Sequence, residues 1–241
     1  MSNFYNGNLL LSELTKFSNF LVPDEGTWNI LYADANNNPV LYLRVFDEMQ
    51  KYEVDDKSQD DFYSVMCASL VIKNSNQFFF KYQEHNSFKL FDSSSLFEEF
   101  LQAGLVVSRD YRGKPFNSKA SSVYHTWQSK HRFIGGITDI DVTRLGVEGK
   151  PVEVIEVKRS RISLEKWAPY FNDKGGYEIL SKFCKNENLD FTVAYYHFSP
   201  NESIEDYENL LILKKTGPFE FQKLGTFRFD EFVAGKYTVT T

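Results

Sequence analysis

The chain has 241 residues, with 27 Lys and Arg against 33 Asp and Glu, and it is 42% hydrophobic and 17% aromatic. Such a composition excludes intrinsic disorder, and no run approaches the roughly 18 uninterrupted apolar residues of a transmembrane helix. Two cysteines, Cys67 and Cys184, exclude a disulfide framework and a four-cysteine zinc site.

Leu9 to Leu21 has the pattern of a short amphipathic helix, stopped at Val22-Pro23-Asp24-Glu25-Gly26. Met1 to Asn6 has no basic region and Leu9-Leu10-Leu11 is too short for a signal-peptide core, so a cytoplasmic protein without membrane attachment is expected. Trp28–Tyr32 and Val40–Val45 are apolar runs flanking Ala35-Asn36-Asn37-Asn38-Pro39, a hairpin signature. Phe62–Ala68 is a further apolar run, and Gln77–Tyr82 reads as a strand. Ser93-Ser94-Ser95 caps a short helix that ends at Gly104. Arg109 to Ser122 is polar, basic and broken by Gly113 and Pro115, as an exposed loop would be. A strand through Asp141-Val142-Thr143, a turn at Gly146 to Pro151 and a second strand, Val152 to Lys158, form a hairpin. Helix is expected from Leu164 to Asn186, interrupted at Gly175-Gly176, followed by a strand at Phe191–Phe198. Leu210–Leu213 and Phe219–Phe221 are weaker strands, and Arg228 to Val233 is a last helix. An antiparallel hairpin, a helix and then a strand able to pair in parallel indicate a mixed α/β core.

Charge is unevenly distributed. Residues 1–104 hold 7 basic and 15 acidic residues (−8), residues 105–166 hold 12 and 7 (+5), and residues 167–241 hold 8 and 11 (−3). A basic window between acidic flanks suits either a polyanion site or a solvated basic loop. That window contains Gly135-Gly136-Ile137-Thr138-Asp139-Ile140-Asp141-Val142 and Val152-Glu153-Val154-Ile155-Glu156-Val157-Lys158-Arg159. Alternation in a strand puts Glu156 and Lys158 on one side, and Asp139 with Asp141 on one face of the preceding strand. Carboxylates at the end of apolar strands are costly unless paired or bound to something. Converging carboxylates suit Mg²⁺, which activates water and neutralises phosphate charge, and a neighbouring lysine can orient or deprotonate that water. The competing reading is a surface ladder in which Glu156 pairs with Lys158 or Arg144.

Asp141, a turn, and then Glu156-Val157-Lys158 resembles the PD-(D/E)xK motif of restriction endonucleases, Holliday junction resolvases and repair nucleases. The resemblance spans roughly Phe133 to Phe198. It implies an α/β, restriction endonuclease-like mixed sheet flanked by helices in residues 105–241. Residues 1–104 would then form an N-terminal α+β region for substrate selection or dimerisation. It also implies a Mg²⁺-dependent endonuclease, with Mn²⁺ able to substitute, acting as a homodimer on double-stranded or branched DNA. Asp141 and Glu156 would hold the metal, Val157 would lend its backbone carbonyl, and Lys158 would serve the attacking water. Ile140 stands where many members carry proline, which leaves Asp139 as a rival ligand, although Asp141 precedes the hydrophobic Val142 as the family's Asp usually does. Glu98 and Glu99 are candidates for a further helix-borne ligand, or simply a solvated helix face. Arg112, Lys114, Lys130, Arg132, Arg159 and Arg161 are the candidate DNA contacts. Tyr124 and Trp127 are suited to core packing or base stacking, and His125 and His131 to packing or solvent. The same site would serve an RNA-directed nuclease, and a chain that kept only the fold would bind nucleic acid without cutting it.

Overall fold

A computed structural model describes residues 8–49, 51–52, 63–108, 123–199, 204–217 and 220–237. In chain order the first elements are α1 (Leu9–Leu14), β1 (Phe20–Leu21), β2 (Thr27–Ala33), β3 (Pro39–Phe46), β4 (Met66–Asn74), β5 (Gln77–Tyr82) and β6 (Lys89–Asp92). Then come α2 (Ser93–Gln102), β7 (Val106–Ser108), α3 (Val123–Gln128), β8 (Arg132–Phe133), β9 (Ile137–Asp139), β10 (Val142–Leu145) and β11 (Pro151–Ser160). The last are α4 (Lys174–Asn186), β12 (Asp190–Ser199), β13 (Ile204–Gly217), β14 (Glu220–Arg228) and α5 (Phe229–Val233).

These elements form two compact units, one of residues 1–7 and 23–140, the other of residues 8–22 and 141–241. The division differs from the expected boundary after residue 104, because residues 105–108 and 123–140 bond into the first unit. There Ile134 N–H donates to Leu105 O, β7 pairs with β8, and β9 pairs with β2.

The first unit carries a six-stranded sheet in the order β6-β5-β4-β3-β2-β9, parallel only between β3 and β4. β2 and β3 are buried almost throughout, which is why their sequences read as continuous apolar runs. The expected hairpin between them forms. Asp34 accepts from the N–H groups of Asn36 and Asn38, both at 2.8 Å, and Asn37 takes a positive φ of 60° that asparagine tolerates. Asp92, rather than a serine, caps α2, accepting from Ser94 and Ser95 N–H while Ser95 Oγ returns a bond to Asp92 N–H. Gly135 is required by proximity: a Cβ there would lie 2.0 Å from Asp34 O, so a side chain would push β9 off the end of β2.

The second unit's sheet has the order β1-β10-β11-β12-β13-β14, with β11 and β12 the parallel pair and α4 the crossover. β10 and β11 form the expected antiparallel hairpin, with Val142 opposite Ile155. Buried Tyr177, Ile179, Leu180, Phe183 and Cys184 lie on α4, and Tyr177 stands beside Lys158, so α4 covers the Glu156/Lys158 face of β11. On the opposite face Tyr196 donates to the α1 cap residue Asn8, and Arg144 donates to Phe232 O of α5. Two sequence expectations change here. The first helix ends at Leu14, since Phe20–Leu21 leaves it to pair with β10. The glycine pair opens α4 rather than interrupting it, and residues 161–170 are a loop that runs into a short 3-10 turn, Phe171–Asp173. Cys67 lies in β4 and Cys184 on α4, and both are buried free thiols.

Candidate active site

Asp141 immediately precedes β10, and its Oδ2 accepts the Val157 backbone N–H of β11 at 2.8 Å. That bond fixes the carboxylate against the strand that carries Glu156. Asp141 is 5% and Glu156 7% exposed, so both sit where an isolated carboxylate would be expensive. Lys158, on the same face as Glu156, brings its ammonium to 2.7 Å from Glu156 Oε1 and 3.4 Å from Asp173 Oδ2. Burial works to lower the Lys158 pKa, but the charge and hydrogen bond of Glu156 and the charge of Asp141 outweigh it and hold the ammonium above the ordinary lysine range. Burial, opposed by Lys158, raises the Tyr177 hydroxyl. Three carboxylates thus surround one ammonium, with a net formal charge two units negative, and Lys158 and Asp173 leave one side partly open to solvent.

Asp173 was not among the sequence candidates. It sits at the N-cap position of α4, yet among the described residues its side chain makes no capping bond and turns to Lys158 instead. Such a cap is worth about 1 kcal/mol, so the helix forgoes stability to keep that carboxylate at the cluster. An aspartate immediately before Lys174-Gly175-Gly176 was the available signal, since Asp favours helix starts.

No family model, curated protein or solved structure matches this chain. Its chemistry therefore rests on the donor set. Two buried carboxylates with a half-open side are the number of protein ligands Mg²⁺ ordinarily takes while keeping waters. Among the described residues no three or more His, Cys, Asp and Glu side chains gather at metal-holding spacing.

The other expected residues are placed as follows. Asp139 is not on a common strand face with Asp141, because β9 ends at Asp139, opposite Ile30 of β2, while β10 starts at Val142 and joins the other unit's sheet. Glu98 and Glu99 lie on α2 of the first unit, where Glu99 bonds to Tyr82. Lys130 and Arg132 are exposed in the first unit; Arg159 and Arg161 are exposed at the end of β11, with the Arg159 guanidinium 5.3 Å from the Phe198 ring centre. Arg112 and Lys114 lie outside the described residues. Tyr124 and Trp127 are buried, the first bonded to the Tyr32 hydroxyl and the second donating to Ser93 O at 3.0 Å, so they pack rather than present faces to a base. Arg144 is no surface cation either. Its Nε lies 2.9 Å from Glu153 Oε2 inside the second unit, and its other nitrogens reach Phe232 O, Val233 O and Tyr237 Oη.

Proposed function

We propose that this chain is a Mg²⁺-dependent endonuclease of restriction endonuclease-like fold, with Mn²⁺ able to substitute, that hydrolyses DNA phosphodiester bonds. The observation that carries this reading is the buried Asp141/Glu156 pair joined through Val157 N–H and Lys158. The antiparallel β10–β11 pair, crossover α4 and parallel β12 supply the strand, strand, helix, strand order that the sequence resemblance implies. Asp141, Glu156 and the Val157 carbonyl would hold the metal. When bound, the metal supplies an acidified water and neutralises phosphate charge. Val157 N–H keeps Asp141 aimed at the site. Lys158, held protonated by its carboxylate neighbours, acts as a fixed positive charge that orients the attacking water and stabilises the phosphorane-like oxygens rather than as a base. Water attack at phosphorus forms one P–O bond as the bond to the leaving deoxyribose oxygen breaks; the water gives up a proton to solvent and the leaving oxygen takes one from it. One such cluster per chain makes a homodimer the form for cutting both strands.

Supercoiled DNA, linear DNA and RNA incubated with Mg²⁺ or Mn²⁺, against EDTA controls, test the reading. Wild type should nick or cut DNA only with metal, and Glu156→Ala and Lys158→Ala should each lose at least about a hundredfold in rate while remaining folded. Undiminished cleavage by both variants refutes the assignment. Cleavage of RNA alone, or salt-sensitive binding without turnover, would replace it by an RNA nuclease or a non-cleaving module.

A further inference from the structure

The connection from β11 to α4, residues 161–173, fixes its own backbone and presents two rings at the surface, Tyr170 edge-on to Trp167 and Phe171 with the Lys174 ammonium 5.7 Å from its centre. Trp167 is 5% exposed and stacks on Tyr195, with centroids 4.2 Å apart and planes within 5°. The Tyr195 hydroxyl donates to Ile162 O and lies 3.1 Å from Ser160 O. Lys166 and Trp167 N–H both donate to Ser163 O, and Asp173 N–H donates to Tyr170 O at 3.0 Å. From this anchored stretch Tyr170 is 41% and Phe171 72% exposed. Every other Phe, Tyr or Trp ring whose burial is described is buried or half-buried. The two exposed rings are thus neighbours in sequence, and Asp173, two residues on, belongs to the Lys158 cluster.

Their surroundings are basic. Residues 159–174 carry Arg159, Arg161, Lys166 and Lys174 against Glu165 and Asp173, an excess of two cations within this stretch. The loop also follows the carboxyl end of β11, which runs parallel to β12, and open α/β sheets bind ligands beyond such ends. An exposed ring amid surplus cations fits a ligand with a flat face and a polyanionic backbone, which a nucleic-acid strand with an accessible base provides.

We propose that Phe171 is a stacking platform for an unpaired nucleobase, with the basic residues of the same loop neutralising that strand's phosphates, so that DNA with a locally unpaired strand is the favoured substrate. The nature of the ligand rests on the nuclease reading. A base inside a perfect duplex is stacked on its neighbours and offers Phe171 no face; an unpaired base does.

Fluorescence anisotropy in EDTA, with a fluorescein-labelled duplex containing a central unpaired tract and the same duplex fully paired, separates binding from cleavage. Wild type should prefer the unpaired probe. Phe171→Ala should weaken its binding by about 5- to 150-fold, the range one stacked base is worth, and change the paired probe by less than about twofold. Phe171→Tyr should keep the preference. The proposal is overturned if Phe171→Ala binds the unpaired probe as tightly as wild type, if both probes weaken equally, or if wild type binds neither. Metal-dependent cleavage with an unchanged Phe171→Ala would overturn the stacking and leave the nuclease assignment standing. Phe171-dependent binding without turnover in Mg²⁺ or Mn²⁺ would do the reverse.

Discussion

Replacing Glu153 by leucine should unfold the second unit more easily than any surface change, by an amount the geometry bounds. Glu153 accepts from Arg144 Nε at 2.9 Å, from the Tyr237 hydroxyl at 2.6 Å and from the Thr192 hydroxyl. At an effective dielectric of about 20, two unit charges 2.9 Å apart attract by about 6 kcal/mol, an upper bound before desolvation is counted. Breaking a buried pair from one side typically costs about 3–5 kcal/mol, and here Phe232 O, Val233 O and Tyr237 Oη still accept from Arg144. Glu153→Leu should therefore cost about 3–4 kcal/mol, or roughly 6–16 °C in Tm for a chain of this size. Arg144→Met with Glu153→Leu should return to within about 1–2 kcal/mol of wild type, since an apolar pair of similar volume can replace a buried ion pair. Urea unfolding followed by tryptophan fluorescence is a direct assay, because Trp167 is the one tryptophan in the second unit. A loss under about 1 kcal/mol for Glu153→Leu, or a double variant as costly as the sum of the singles, would refute the coupling. The folded double variant should also bind DNA with the wild-type salt dependence, whereas Arg161→Ala should reduce that slope by about one phosphate contact.

Asp173→Asn removes one of the two carboxylates that touch the Lys158 ammonium. Cleavage should slow about tenfold, mainly in kcat, as the ammonium loses one of its two fixed contacts; an unchanged kcat would dismiss Asp173 as a bystander. In the first unit, burial lowers the pKa of His125, only partly offset by Asp139, and its ring packs edge-on to Trp28 at 5.2 Å. The unfolded chain then takes up the proton first, so this stability is present above about pH 6.5 and is lost as the pH falls toward the folded value. Denaturant midpoints from pH 8 to 5 should show the loss, and His125→Gln should flatten it; an equal slope in both proteins would exclude His125 as the source.

The part of the fold built from neighbouring residues was legible. Alternation in Val152 to Arg159 put Glu156 and Lys158 on one face, and the Gly146 to Pro151 turn returned them to Asp141. What could not be read depends on distant pairing. β1 is two residues long, and its partner β10 lies across the whole first unit, so the local pattern extended α1 instead. Likewise Ile137 to Val142 reads as one alternating strand, and only its hydrogen bonds to β2 on one side and β11 on the other divide it between sheets. The +5 window keeps its net charge on folding, because the Arg144–Glu153 and Lys158–Glu156 pairs each withdraw one cation and one anion from it, although Arg144 itself is lost as a surface cation. Charge partners inside a fold leave no mark on a sequence sum.

Interrupting the second unit's sequence with the first has a consequence for the order of assembly. Phe20 must find Arg144 to close the β1–β10 edge, and for a flexible chain a loop of this length costs about 4 kcal/mol of closure entropy. The first unit can pay most of that in advance. β2 and β9 pair within it, and Ile140 N–H donates to Asn29 O at 2.9 Å, which brings the outgoing chain alongside the incoming one. As the chain is synthesised, α1 and β1 therefore emerge first yet wait longest. The proposed catalytic sheet is completed only after the intervening unit has folded and handed it two nearby ends.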